Sequence, residues 1–504
     1  MRCGGDQVGM GQSGSSLHAF YRKGCGKTLL RLLTFVLWFL TGCAFGPTYQ
    51  RPAIEAPDTY RSEVRAPEAA SLADLPWWAV FRDDTLKTLI AEALQNNYDL
   101  RTAAARVEQF QALVGVARSE FFPQTSYEGG ASRSRGVSQF FTPIPPGQTG
   151  NAFGGLLNLA WELDVWGRIR RSNEVALAQL FASEEFRRGV VLTLVSAVAQ
   201  AYFELLELDL ELEIAQRTTV SFQQTLDLFT QRLQMGAASK LEVARAEAAL
   251  AATAATIPNL ELRIVAKENQ LCVLLGRNPG PIARGRPLID QTYPDTPPGL
   301  PSELLERRPD IQQAEQTLIA ANAQVGVVMA NFFPRIGLTS LYGGASDEIE
   351  NIVKGSANIW ALTGQAVGPL LQGGLLYENY QAALAQWEQV KWQYEQTVIT
   401  AFQEVSNALI SQQKLVEVQR EQTRAVAALQ ESVRLSLLRY EGGFASYFEV
   451  IEAQQQLFPA ENTLAQVQRD QLLAVVQLYR ALGGGWSAYT ALPGPPPLWH
   501  TVLP

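Results

Sequence analysis

The feature that most constrains this chain is a stretch that occurs twice. One copy is Arg232-x-x-x-Gly236-x-x-Ser239-x-x-Glu242-Val243-x-x-Ala246-x-x-x-Leu250. The other is Arg439-x-x-x-Gly443-x-x-Ser446-x-x-Glu449-Val450-x-x-Ala453-x-x-x-Leu457, with every landmark displaced by 207 residues. Each copy lies between two long helical patterns and reads as the tip of a helical hairpin. Gly236 and Gly443 suit the left-handed position that ends a helix. Ser239 with Glu242, and Ser446 with Glu449, have the capping-box spacing that starts the next one. The chain is therefore a duplication of a unit that carries a long hairpin.

The duplication continues upstream at an offset of 211, where Asp99-Leu100 matches Asp310-Ile311 and Phe121-Phe122-Pro123 matches Phe332-Phe333-Pro334. The first repeat spans residues 77–278. A helical pattern through Leu86, Leu89, Ile90 and Leu94 precedes a second helix from Asp99 to Ser119. An extended pair follows at about 122–165, closed by a loop with Pro143, Pro145, Pro146 and Gly147. Its second arm alternates Phe153, Leu157, Leu159, Trp161, Leu163 and Val165 with Asn158, Glu162 and Asp164, the period of a strand with one apolar face. Each arm is long enough to cross a bilayer, so the pair predicts a hairpin of a membrane β-barrel.

A long helical hairpin then covers 169–275, its outbound limb running to about Met235. Roughly 65 residues of helix measure on the order of 100 Å, which coiled-coil-like packing needs and a globular core does not. Pro258 is expected to bend or break the return limb. A Pro-rich connector at 279–300 leads to the second repeat, 301–483, with a strand pair at about 334–369 and a hairpin at 374–482. Gly167 at the first strand-to-helix junction and Gly373 and Gly374 at the second are expected to absorb the turn. Trp161 and Trp166 bracket the end of the first pair, either as an interfacial aromatic girdle or, for Trp166, as packed core. Residues 484–504 read as a flexible tail.

Charge separates the N-terminus from the rest. Residues 1–42 carry Arg2, Arg22, Lys23, Lys27 and Arg31 against Asp6, while the remainder holds 36 basic and 48 acidic residues. The basic region, the apolar run Leu29–Leu40 and a small-residue site form a secretory signal, with the start at Met1 or Met10. Leu40-Thr41-Gly42-Cys43 resembles a bacterial lipobox, which implies cleavage before Cys43 and a covalent lipid there. Residues 43–76 then read as an extended, lipid-anchored linker. Cys272 would be the only free thiol of the mature chain, so no disulfide is expected within it.

The acidic body does not suggest nucleic-acid binding. Two nucleotide-binding look-alikes, Gly9-Met10-Gly11-Gln12-Ser13-Gly14 and Gly26-Lys27-Thr28, lie in the leader without the strand and helix such motifs need. After residue 42 the one histidine is His500 in the tail, which removes imidazole triads and most metal sites. No enzyme, metal or cofactor beyond the lipid is expected.

Four strands cannot close a barrel, because open edges do not survive in lipid and bacterial barrels begin at about eight strands. The expected fold is an α+β membrane channel: long antiparallel helical hairpins forming an α-barrel, and four transmembrane strands per chain completing a barrel shared between copies. Spacing alone leaves a dimer or a trimer open.

At Trp161-Glu162-Leu163-Asp164-Val165-Trp166-Gly167-Arg168, at Leu304-Leu305-Glu306-Arg307-Arg308-Pro309-Asp310-Ile311 and at Leu482-Gly483-Gly484-Gly485-Trp486 the chain resembles the TolC-like outer-membrane efflux factors. The likeness is to their lipoprotein branch, the outer-membrane subunits of resistance-nodulation-division pumps. The resemblance implies a homotrimer with a twelve-stranded barrel, a periplasmic adaptor and an inner-membrane pump as partners, and passive, gated export of drugs or other small molecules through the outer membrane. It places the periplasmic gate at the second tip, with Glu449 and Glu452 as stacked carboxylate rings. Gly236, Ser239, Glu242, Arg439, Tyr440, Gly443 and Ser446 are expected at the tips, holding the closed state or meeting the adaptor. At position 245 the first copy has Arg245 where the second has Glu452, so the tips are not equivalent. Two other readings stay open: a duct for protein secretion, and a lipid-anchored periplasmic adaptor or scaffold.

Overall fold

The computed structural model describes residues 45–54, 56–57, 59–61, 71–136, 144–294, 297, 299 and 301–484. Cys43, Trp486 and His500, with the leader and the tail, lie outside them. The first repeat contains α1 (Asp84–Asn96), α2 (Tyr98–Ser119), β1 (Gln124–Arg135), β2 (Thr149–Leu163), α3 (Arg168–Gln234), α4 (Lys240–Ala254) and α5 (Thr256–Leu274). The second contains α6 (Pro309–Ala330), β3 (Arg335–Ser346), β4 (Asn358–Val367), α7 (Leu375–Glu441) and α8 (Phe448–Ala481). The two outbound helices, α3 and α7, have 67 residues each. The return limb breaks at Ala255, as a proline at 258 demands, since its ring crowds the carbonyl four residues back.

By contacts the chain forms two units. The first, residues 1–50, 113–177 and 319–387, holds the sheet. Its order is β1-β2-β3-β4, every pair antiparallel, so β1 and β4 are edges. The register places Tyr127, Leu157, Tyr342 and Trp360 in one row across all four strands. All four side chains are exposed, an apolar band that water would not favour and lipid would.

The segment after position 43 is not a free linker within its described part. The Phe45 ring stacks on Phe333 at 4.5 Å and lies 5.8 Å from Trp166. Its N–H donates to the Trp166 carbonyl at 3.2 Å, and Arg171 Nε donates to the Phe45 carbonyl at 3.2 Å. Asn322 Nδ2 donates to the Pro47 carbonyl at 2.9 Å. Gly46 adopts φ 110°, and a Cβ there would stand 2.5 Å from Gly326 Cα, so the strap fits only with glycine at both places. Composition marked this stretch as extended; the tertiary partners decide that it is docked.

The second unit, residues 51–112, 178–318 and 388–504, holds most of the helical hairpins. Buried Asp83 ties its parts together. Its Oδ1 caps α1 through the N–H groups of Thr85 and Leu86 at 2.9 and 3.1 Å. Its Oδ2 accepts from the Tyr202 hydroxyl, the Arg286 N–H and Gln291 Nε2 at 3.1, 3.1 and 2.9 Å. Burial would raise this carboxyl, but the hydrogen bonds from Gln291, Leu86, Arg286 and Tyr202 outweigh it and hold it below the usual aspartate range. Repeat symmetry survives in the packing as well. Asn97 Nδ2 donates to the Leu274 carbonyl at 3.0 Å, and Arg308 Nη1 donates to the equivalent carbonyl, Ala481, at 2.9 Å.

Candidate functional site: hairpin tips and strand-to-helix junctions

Both tips close their outbound helix in the same way. The Gly236 N–H reaches the Leu233 carbonyl at 3.0 Å and the Ala237 N–H reaches Arg232 at 2.8 Å. The Gly443 N–H reaches Tyr440 at 3.0 Å and the Phe444 N–H reaches Arg439 at 2.9 Å. These are Schellman closures, with Gly236 at φ 71° and Gly443 at φ 73° supplying the left-handed residue.

The return helices start differently. Ser239 caps α4 in a full capping box: its N–H donates to Glu242 Oε2 at 2.6 Å, and the Glu242 N–H donates to Ser239 Oγ at 3.3 Å. The matching box at Ser446 and Glu449 does not form. Tyr447 occupies the cap position in helical geometry, without a side-chain bond, and the Glu449 carboxylate faces Arg439 at 3.4 Å instead. The cause is Tyr447, which stands where the first copy has Lys240. Its ring is 3% exposed, packs edge-on against Phe229 at 4.3 Å, and its hydroxyl meets Thr225 Oγ1 at 2.6 Å. Burying an aromatic ring contributes about 2–3 kcal/mol, whereas a cap contributes about 1 kcal/mol, so the ring wins.

Around it the two tips share one small core of Phe229, Ala246, Tyr447, Val450 and Ile451, with Tyr440 at its margin. The Tyr440 ring lies 4.9 Å from Tyr447 and 6.2 Å from Phe229. Arg232 spans from the first tip to the second: its guanidinium sits 4.7 Å over the Tyr440 ring and donates to the hydroxyl. Arg245 lies 5.5 Å over Phe448. Glu449 lies on the first turn of α8 and Glu452 three residues further on, both exposed.

At the first junction Gly167 has φ 80°, and at the second Gly373 and Gly374 have φ 57° and 91°. Asp164 caps α3 through the N–H groups of Ile169 and Arg170, both at 2.9 Å. Arg168 forks onto Glu162 and reaches Glu120 at 2.9 Å. Trp161 Nε1 donates to the Phe121 carbonyl at 3.0 Å and Trp166 Nε1 to Pro334 at 2.7 Å. Trp166 also stacks on Phe333 at 5.0 Å, so its indole is built into the strap cluster.

This combination, two repeats each with a strand pair, a glycine junction and a long capped hairpin, matches a known family model. The model, described as outer membrane efflux protein, covers residues 89–277 and 300–484. The chain belongs to the outer membrane efflux protein family. The cation efflux system protein CusC of Escherichia coli is 33% identical over 461 residues, covering 90% of this chain and 99% of its own. The toluene efflux pump outer membrane protein TtgC of Pseudomonas putida is 33% identical over 472 residues, 92% of this chain and 97% of its own. Among solved structures, that of CusC has 31% identity and a TM-score of 0.79, covering 88% of this chain and 100% of that one. The open-state MtrE outer membrane channel of Neisseria gonorrhoeae has 29% identity and a TM-score of 0.79, covering 88% and 99%.

This outer membrane efflux protein is therefore the outer-membrane channel of a tripartite efflux system, of the class with an α-barrel and a β-barrel. Neither scaffold nor adaptor accounts for its four-stranded sheet. Of the tip residues singled out from the repeat, Tyr440 meets Arg232 across the tips and Arg439 meets Glu449 within the second. Thr225, Phe229 and Tyr447 were not among them, though a signal existed: Tyr447 and Phe229 are positions where the copies disagree, with Lys240 and Ser436 opposite.

Proposed function

We propose that three copies close a twelve-stranded barrel and a helical tunnel, and that the second hairpin tip is its periplasmic gate. The unclosed sheet carries this reading, because β1 and β4 each have one edge without a partner strand among the described residues, and lipid does not tolerate such edges. Export is passive, driven through a periplasmic adaptor by an inner-membrane pump. The cargo is small molecules; the relatives' names carry cations in one case and toluene in another at equal identity, so the pump rather than the duct sets specificity.

Glu449 and Glu452, exposed at the start of α8, would form two carboxylate rings in such a trimer. Rings of one sign focus cations at a narrow entrance. In planar bilayers, Glu449→Gln combined with Glu452→Gln is expected to weaken block by trivalent cations by an order of magnitude or more. Unchanged block would remove the rings from the entrance, and a purified protein without any conductance would remove the channel itself. Cys43 is the expected site of the lipid. Metabolically supplied palmitate should label the wild-type protein and leave Cys43→Ser unlabelled; equal labelling would place the lipid elsewhere.

A further inference from the structure

A second group of charges lies away from the tips, where α3, α5 and α8 meet. Helix α3 brings Glu204, Glu207 and Glu211; α5 brings Arg263 and Lys267; α8 brings Arg469 and Asp470. Lys267 pairs with Glu204 at 2.7 Å, Arg263 with Glu211 at 3.2 Å, and Arg469 with Glu207 at 3.3 Å and Asp470 at 2.7 Å. Gln466 Nε2 donates to Glu211 at 2.8 Å. Four carboxylates thus face three cations. Glu207 is 1% exposed and Glu211 5%. Glu207 Oε1 is buried and meets no N–H or O–H among the described residues, yet the Glu211 carboxylate, one turn on, is within hydrogen-bonding reach. Two buried carboxylates can hydrogen-bond to each other only when one carries a proton.

The repeat supplies an internal comparison. At an offset of 207, Glu207 becomes Lys414 and Arg263 becomes Asp470, lining the corresponding hollow of the second hairpin. Lys414 is well exposed there and pairs with Glu417 at 2.8 Å. The duplicated architecture therefore folds without an acid at this position.

We propose that Glu207 holds a proton, donated toward the Glu211 carboxylate, and that the seam where α3 packs against α5 and α8 loses stability when that proton leaves. Burial pushes the Glu207 carboxyl up to about 7; the hydrogen bond to Glu211 and its charge add to the rise, and Arg469 and Arg263 oppose it. The sign follows from linkage. Below about pH 4.5 both folded and unfolded chains hold the proton. Between there and about 7 the unfolded chain has lost it and the folded one has not, so stability falls as pH rises. Above about 7 the folded Glu207 releases it too and becomes a buried anion, and the loss is complete.

The test uses the full-length purified protein. Between about pH 5.5 and about pH 8 the folded-to-unfolded ratio of the wild type should drop on the order of thirtyfold through this site, read from denaturant melts. Glu207→Gln keeps a donor toward Glu211 and cannot titrate, so this share of the drop should vanish and the variant should be the more stable protein at pH 8. An identical pH slope in the two proteins would overturn the proposal. A measurement on the wild type alone stands beside it: infrared difference spectra should show a protonated-carboxyl stretch at neutral pH that disappears at alkaline pH. Absence of that band would overturn the proposal even if the variant did not fold.

Discussion

Replacing Tyr440 by Ala is expected to raise the open fraction of the channel roughly a hundredfold in planar bilayers. Tyr440 of the second tip meets Arg232 of the first, both through its ring face and through its hydroxyl. It also flanks Tyr447 and Phe229. A hydrogen bond from a cation contributes about 1.5 kcal/mol at the low end, a half-exposed cation–π contact about 0.5–1 kcal/mol, and the ring pairs about 0.5–1 kcal/mol. Together these approach 3 kcal/mol, and the contacts exist only while the tips touch. Tyr440→Phe keeps the ring and loses the hydroxyl, so its effect should be about tenfold. The pair of variants separates this tie from general loosening, because Ala and Phe differ only in contacts made at the tip. A Tyr440→Ala channel whose recordings match the wild type would mean that the tips are not held closed here.

The two variants also show where sequence stops. The hairpins and strand pairs were legible because their periods are local and each occurs twice, so one copy checks the other. The turn glycines were legible for the same reason. The second capping box was misread because Ser446 and Glu449 satisfy a local rule that Tyr447 overrides by burial, and its partners Phe229 and Thr225 lie more than two hundred residues away. The strap at Phe45 failed in the same direction. Pro47 and Pro52 signal extended chain, and only the folded positions of Trp166, Phe333 and Arg171 show that the chain is seated. In the sequence nothing sets Glu207 apart from the other acidic residues of its long helix. Its burial depends on α5 and α8 together, which no helical periodicity of α3 encodes.

Arg308→Ala is expected to cost about 2–3 kcal/mol and to deplete the protein from the outer membrane. Arg308 is 6% exposed, forks onto Asp310 at 2.9 and 2.6 Å, pairs with Glu404 at 2.7 Å and donates to the Ala481 carbonyl at 2.9 Å. One guanidinium thus joins the start of α6, the middle of α7 and the end of α8. Truncation leaves the partly exposed Glu404 without its cation and the last turn of α8 without a donor, so the loss is of charge-assisted hydrogen bonds and of one buried carbonyl's partner. Arg308→Lys retains charge but loses the planar fork, which a single ammonium cannot replace, so about half the cost should remain. The first repeat shows the neutral alternative: Asn97 makes the equivalent bond to the Leu274 carbonyl and caps α2 through the Leu100 N–H at 3.0 Å, with no buried ion. The second repeat needs a longer, charged reach because Glu404 on α7 faces the same point. Urea melts and outer-membrane abundance of the two variants decide the matter. An Ala variant that melts with the wild type would show that the desolvation of Arg308 cancels everything its three partners return.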